Sequence, residues 1–213
     1  MARKRRSRVL TILGIVLILV GLGFLGYVGW QYYGTNVVSK HAQAKIKKEL
    51  AVQWENNIDG DAVGLIRIPR FGDDYEVPIL KGFGTDVLAK GVGMYPDGAE
   101  PGEIGNLALA GHRVTHGEPF RDFLKLRKGD DVIIETRTHV YTYRLEGDGD
   151  DIKVDFTVGW PLQAVPDPDE RGTKPTEAKL TLLTCSELFH TRDRNVVIGD
   201  LVKTVDKKAP PAS

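Results

Sequence analysis

The sequence contains one cysteine among its 213 residues, so no disulfide can form within the chain. A domain of this chain outside the cytoplasm would depend on core packing, rather than on covalent cross-links, for its stability. Internal repeats, a P-loop and a glycine-rich dinucleotide-binding motif are also missing, and no acidic residue precedes Glu49. These absences exclude a disulfide-stabilised scaffold and leave nucleotide-binding chemistry without support.

The N-terminal segment combines a basic cluster with a long uncharged run. Five of the first eight residues are Lys or Arg, and Val9 to Trp30 is rich in Leu, Val, Ile and Gly. About 20 apolar residues suffice to cross the hydrocarbon core of a bilayer, and Trp30, Tyr32 and Tyr33 would form an aromatic belt at the interface. The apolar run indicates that the basic cluster lies beside a membrane, not on nucleic acid.

The positive-inside rule orients this segment. We predict a single-pass cell-membrane protein with a cytoplasmic N-terminus over 1–8, a transmembrane helix over 9–30 and the remaining chain outside the cell. The alternative is a cleaved signal peptide. The apolar run is too long for that, and Ala42-Gln43-Ala44, which has the form of a cleavage site, lies too far beyond it.

Residues 31–61 are predicted to form an extracytoplasmic linker that is partly helical. Helix-forming residues run from His41 to Trp54, and Asn, Asp and Gly then interrupt the pattern. We interpret this segment as a spacer that holds the following domain off the membrane. Contact of Lys45, Lys47 and Lys48 with anionic headgroups is the alternative.

Residues 62–205 are predicted to form an all-β domain. Short apolar, β-branched runs alternate with turn signals such as Gly147-Asp-Gly-Asp, and many strands without helical crossovers indicate a barrel or sandwich. Pro78 indicates an edge strand or a bulge. One short helix is predicted over 119–126, and residues 206–213 are predicted to be a disordered tail. The predicted strands are 63–68, 75–80, 104–110, 131–135, 139–146, 151–158, 179–184 and 195–205.

The single cysteine, Cys185, ends a predicted strand and precedes a polar turn. A thiolate nucleophile needs a base or a positive partner. His112, which follows a run of small residues, is the best candidate base. Arg194, nine residues after the cysteine, is the candidate to stabilise an oxyanion, with Arg192 as its competitor. The alternative for Cys185 is a buried small hydrophobe, but its place at a strand end favours a nucleophile.

We predict no metal site and no cofactor. His112, His116 and Cys185 could in principle bind zinc, but no pair has compact metal-site spacing. Acidic clusters at 73–74, 148–151 and 167–170 lack the fixed spacing of an EF-hand loop, and we interpret them as solvated turns.

Three segments together resemble the sortase family. Leu180-Thr-Leu-Leu-Thr-Cys185, with Arg194 nine residues on, resembles the TLxTC…R signature of sortases, and Tyr95 to Arg113 looks like the segment that carries the sortase histidine. The continuation from Thr115 to Leu124 resembles the GHRTTxGxPFxxL run of class E sortases of high-GC Gram-positive actinobacteria. The resemblance covers about residues 62–205.

The resemblance implies a closed eight-stranded β-barrel with His112, Cys185 and Arg194 as the catalytic residues. Cys185 would attack the Thr–Gly bond of an LPxTG-like sorting signal, closer to LAxTG for class E, and form a thioacyl enzyme. The partners would be secreted proteins with such a C-terminal signal and an amine of a peptidoglycan precursor. Substrate-binding residues would come from the surroundings of the cysteine and the histidine: Thr184, His116, Ser186 and His190.

Two departures from the family pattern stand beside the site. Ser186-Glu187 replaces a polar residue followed by proline, and Met94 stands where a histidine is frequent; both concern substrate choice more than chemistry. The alternatives are a non-catalytic or degenerate sortase-like domain that binds wall or protein, a hydrolase that uses water as acceptor, and a pilin-type sortase. The lack of a second apolar span argues against the pilin type.

Overall fold

One continuous helical segment precedes the β-domain. The computed structural model describes residues 2–56, 58, 60–185 and 192–207, and its side chains from Leu10 onward except that of Cys185. Helix α1 (Ala2–Gly29), a π-helical turn (Trp30–Gly34) and helix α2 (Thr35–Glu55) follow one another without a break. From Leu10 the segment is long and apolar enough to cross a membrane, with a window of mean hydropathy 2.5 that is not buried.

The β-domain is a closed eight-stranded barrel, as the resemblance implied. The described strands are β1 (Ala62–Arg67), β2 (Val77–Lys81), β3 (Val92–Met94), β4 (Gly105–Ala110), β5 (Asp131–Glu135), β6 (His139–Leu145), β7 (Ile152–Asp155), β8 (Ala178–Cys185) and β9 (Asp193–Asp206). Strands β1 to β6, β8 and β9 are hydrogen-bonded in the order β6-β5-β1-β2-β3-β4-β8-β9, and the pairing of β6 with β9 closes the ring.

The length of β9 makes this closure possible. Its first residues pair with the short strand β7, from Asp193 to Val196, and its later residues pair with β6, from Gly199 to Asp206. Along its other edge β9 pairs with β8. One long strand therefore closes the barrel and also holds the additional strand β7.

Alternate residues of the strands fill the barrel interior, and side chains from the loop after β4 complete this core. Ile66, Ile79, Leu107, Leu109 and Leu182 are among the core residues that are almost completely buried. Each such side chain stabilises the fold by about 1.5–3 kcal/mol through removal of apolar surface from water. The residues after β4 add Phe120, Phe123 and Leu126 to this core.

Several local predictions need correction. The predicted helix over 119–126 is a 3-10 helix at Phe123–Lys125, since the chain there turns with short-range bonds while it inserts its aromatic rings into the barrel. Pro78 lies in β2, which is paired on both sides, although its pairing with β3 begins only at Ile79. Strand β3 was not predicted because three residues carry too little alternation. The remaining short helices are α3 (Thr85–Leu88) and 3-10 turns at Pro69–Phe71 and Trp160–Leu162.

Candidate active site

The register of β8 and β9 brings Cys185 and Arg194 together. The two strands are antiparallel neighbours, and Cys185 is the partner of Arg194, as Thr184 is of Asn195. Partners in such a pair have Cα atoms about 4.5–5.5 Å apart. The antiparallel register thus places the backbone of Arg194 directly opposite that of Cys185.

His112 reaches the same end of β8 through the parallel pairing of β4 with β8. This pairing ends at Ala110 and Leu183, two residues before His112 on one strand and before Cys185 on the other. Two hydrogen bonds extend it: Gly111 N–H donates to Leu183 O (3.2 Å), and the buried Thr184 hydroxyl donates to Gly111 O (2.8 Å).

Glycine is needed at position 111 because the loop folds back tightly. A Cβ atom on Gly111 would lie 2.8 Å from the ring of Phe120. The backbone N–H of Phe120 in turn donates to His112 O at 2.9 Å. The buried Phe120 therefore anchors the loop that carries His112 to the barrel core.

The ring of His116 stacks on the ring of His112. The ring centroids are 4.7 Å apart with an interplanar angle of 28°, and His116 Nδ1 lies 2.9 Å from Thr115 Oγ1. Burial lowers the pKa of His116 from its ordinary value because it disfavours the charged ring. The lowered pKa favours the neutral form of the His116 ring that stacks on His112.

The surroundings of Arg194 distinguish it from Arg192. Arg192 is exposed and donates from Nε to Asp155 Oδ2 at 3.0 Å; hydrogen bonds from Thr157 and then Arg192 hold the pKa of Asp155 at about 2. Arg194 is partly buried, and its Nη1 donates to Asp193 O at 3.0 Å. Both guanidinium groups lie near the Phe156 ring, at 5.4 and 6.0 Å from its centroid. Arg194 is therefore the arginine opposite Cys185 in the ladder, whereas Arg192 pairs with Asp155.

A family model described as a sortase domain matches residues 66–202. This chain belongs to the sortase family. A curated relative, sortase SrtE1 of Streptomyces coelicolor, is 33% identical over 207 residues, which cover 90% of this chain and 56% of the relative. The chain therefore spans about half the length of that protein.

Solved structures give the same result. Sortase E from Streptomyces avermitilis is 36% identical with a TM-score of 0.60, covering 68% of this chain and 91% of that chain. Sortase E1 from Streptomyces coelicolor, solved with a tripeptide in the active site, is 31% identical with the same TM-score and coverage. These similarities confirm the resemblance to sortases and to class E.

The structure also reveals a residue of this sortase that sequence reasoning missed. Asn106 is buried in β4, and its Nδ2 donates to Pro161 O (2.8 Å) and Gln163 O (2.9 Å). Its Oδ1 accepts from the hydroxyl of Thr181 on β8 (2.8 Å). Asn106 thus fixes the segment between β7 and β8 to the barrel, and the signal for it was one amide within an otherwise apolar strand.

Two predicted substrate-binding residues, Ser186 and His190, lie outside the described residues, as does the side chain of Cys185. Within the described part of this sortase, Asp148, Asp150 and Asp151 bring their carboxylate oxygens within 4.8 Å of one another. Arg127 lies 3.6 Å from Asp148 and 3.7 Å from Asp150. This acidic cluster therefore already has a cationic partner.

Proposed function

We propose that this sortase is a membrane-anchored cysteine transpeptidase. It cleaves an LAxTG- or LPxTG-like sorting signal between Thr and Gly and joins the threonine carbonyl to an amine of a peptidoglycan precursor. The observation that carries this proposal is the β8–β9 register that pairs Cys185 with Arg194. The hydrogen bonds between Gly111 and the end of β8 support a place for the adjacent His112 in the same site. The tripeptide in the active site of sortase E1 favours a peptide substrate.

In the proposed first step the Cys185 thiolate attacks the threonine carbonyl carbon, and the C=O electrons move to oxygen. Arg194 donates hydrogen bonds to this oxyanion, which preorganised donors stabilise strongly. When the carbonyl re-forms, the C–N bond to glycine breaks, and protonated His112 gives its proton to the departing amine. A thioacyl enzyme and a neutral His112 remain.

In the second step the amine of the acceptor attacks the thioester carbonyl. Neutral His112 takes the proton from that amine, the C–S bond breaks, and the thiolate and the protonated histidine are restored. Thr184 contributes by holding Gly111 beside β8, and His116 contributes by packing on His112. Ser186 and His190 are proposed to contact the sorting signal.

The proposed topology follows the same division of the chain. Residues 1–8 lie in the cytoplasm, 9–30 cross the membrane, and 31–61 connect to the catalytic domain over 62–205. The balance of charge and apolarity in the first 30 residues supports this orientation.

The direct test is a thioacyl adduct. The chain is incubated with a panel of LAxTG and LPxTG peptides and examined by intact-protein mass spectrometry. We expect a mass increase equal to the peptide up to its threonine, and its loss in Cys185→Ala together with all cleavage. An unmodified wild-type chain with every peptide would contradict the proposal and favour a non-catalytic binding domain.

A second measurement separates a transpeptidase from a hydrolase. A fluorogenic peptide is cleaved in the presence of increasing concentrations of an amine nucleophile, and the ligated and hydrolysed products are quantified. A transpeptidase gives a ligated fraction that rises with the amine. Only hydrolysed product at every amine concentration would favour the hydrolase.

A further inference from the structure

Helix α2 packs directly on the loop that follows His112. Thr35, Asn36, Ser39 and Gln43 lie along one face of the helix, and Ser39 and Gln43 are 2% and 8% exposed, although both are polar. A Cβ atom on Gly117 would lie 2.6 Å from Gln43 Nε2 and 3.3 Å from Ser39 Cβ. The helix is therefore in close contact with the loop.

Asn36 makes the main polar contacts between helix and loop. Its Oδ1 accepts the N–H of Gly117 (2.8 Å), and its Nδ2 donates to Glu118 Oε1 (2.6 Å). Its neighbour Thr35 accepts the N–H of His116 at 3.4 Å. Three consecutive loop residues, His116 to Glu118, thus bind two consecutive residues at the start of α2.

The same three loop residues have left-handed backbone conformations. Their φ values are +54° for His116, +82° for Gly117 and +52° for Glu118. For a residue other than glycine this conformation costs about 1–2 kcal/mol, and it persists where the surrounding structure holds it. The contacts from Thr35 and Asn36 fall where such support is needed.

This conformation determines what packs on His112. The ring of His116 stacks on that of His112, and the loop returns through the hydrogen bond from Phe120 N–H to His112 O. A change in the backbone conformation at 116–118 would therefore move the His116 ring that stacks on His112.

The far end of α2 is fixed as well. Leu50 is 2% exposed, Lys47 Nζ lies 3.5 Å from Glu76 Oε1, and Lys207 Nζ lies 3.9 Å from the centre of the Trp54 ring. Contacts along its whole length hold α2 against the domain, so α2 is more than the spacer that the sequence suggested.

We propose that Asn36 is a positioning residue for His112, and this rests on the proposed function of His112 as the acid and base. Asn36 holds residues 116–118 in their left-handed conformation and so keeps His116 stacked on His112. Because α1, the π-helical turn and α2 are continuous, the contacts of Asn36 connect the apolar N-terminal segment to the loop that follows His112.

The test uses the full chain in detergent micelles and Asn36→Asp. This change keeps an acceptor for Gly117 N–H but sets a carboxylate against that of Glu118. We expect kcat for peptide cleavage to fall on the order of 10-fold or more, since small misplacements of catalytic groups have large effects, while KM stays within about twofold. Asn36→Ser, which shortens the side chain without adding charge, is the second variant and is expected to lower kcat as well.

Two controls make the test specific. Asn56 donates to Val52 O as Asn36 donates to Tyr32 O, and it is exposed near the other end of the helix, so Asn56→Asp is expected to leave kcat unchanged. Adding Glu118→Gln to Asn36→Asp restores a donor–acceptor pair, because the new amide can donate to the new carboxylate. This double variant is expected to regain most of the kcat.

A readout without substrate separates this proposal from the function itself. The ring signals of His112 and His116 in proton–carbon NMR spectra report their stacking, and we expect Asn36→Asp to shift them and Asn56→Asp to leave them in place. A wild-type chain without cleavage would refute the proposed function, and the ring signals would still decide the role of Asn36. Unchanged ring signals and unchanged kcat in both Asn36 variants, or a folded double variant without recovery, would overturn the proposal.

Discussion

The two sides of the candidate active site are held in different ways. On one side Cys185 and Arg194 occupy partner positions in a ladder that continues without interruption to Lys179 and Asp200. On the other side His112 precedes a loop with three left-handed residues, held by single hydrogen bonds and by a helix about 80 residues earlier in the chain.

This difference determines how each side responds to change. In the ladder many backbone hydrogen bonds hold each residue in place. A side-chain substitution there removes the reacting group but leaves the backbone where it was. The loop depends on a few individual bonds, so changes that touch no reacting atom displace His112. On the strand side we expect only substitutions of the reacting groups to lower activity. On the loop side we expect substitutions of residues remote from the reacting groups to lower activity as well.

Among substitutions that keep the Cys185 nucleophile, the largest effect is expected at Arg194. Arg194→Ala removes the donor opposite Cys185, and loss of one oxyanion donor typically lowers kcat by about 10²–10³-fold. Steady-state cleavage of a sorting peptide measures it. Arg192→Ala is the matched control; its pair with Asp155 is exposed, so its loss should change kcat by less than about fivefold. Equal losses in the two variants would contradict the assignment of Arg194.

A smaller effect is expected where the two sides meet. Thr184→Val removes the hydroxyl that donates to Gly111 O and leaves a buried carbonyl unpaired, which costs about 1–3 kcal/mol. Denaturant unfolding in detergent should show this loss, with a fall in kcat because Gly111 precedes His112. Thr184→Ser keeps the hydroxyl and should retain most of the stability and most of the kcat. A Thr184→Val chain as stable and active as wild type would show that the bond does not couple the two sides.

The smallest effect concerns His116 and pH. Burial lowers its pKa in the folded chain, so the unfolded chain binds the proton first as pH falls below the ordinary value of about 6.5. The stability of the fold is therefore fully present above that value and declines as pH falls towards the lower pKa of the folded state.

His116→Asn tests this, because asparagine tolerates a positive φ. The decline of the melting temperature between about pH 7.5 and pH 5 should become shallower in this variant, since the proton-binding group is removed. His41→Asn, an exposed histidine of α2, serves as the control. An identical decline in wild type and His116→Asn would remove His116 from the pH response.

Much of the fold followed from local pattern. Alternating and β-branched runs located most strands to within a few residues, and the apolar run located the N-terminal helix. Strand β3 escaped because it is three residues long. The 3-10 turn at Phe123–Lys125 was predicted as a longer helix because burial of its aromatic residues resembles a helical face.

The candidate site was predictable only in part. Cys185 and Arg194 lie only nine residues apart in the chain, so their antiparallel pairing is a local one. Asn106 and Asn36 were missed because their partners, Pro161 and Gly117, lie 55 and 81 residues away. Contacts at such separation depend on the path of the whole barrel.

The sequence by itself determined the residue types, the single thiol, the membrane-compatible helix and the strand pattern, since each of these resides in composition or local periodicity. Only the tertiary structure decided that β4 runs beside β8, which carries His112 to the end of the cysteine strand. It alone decided that α2 supports the loop after His112. Both depend on hydrogen bonds between segments distant in the chain, which local composition and periodicity do not specify.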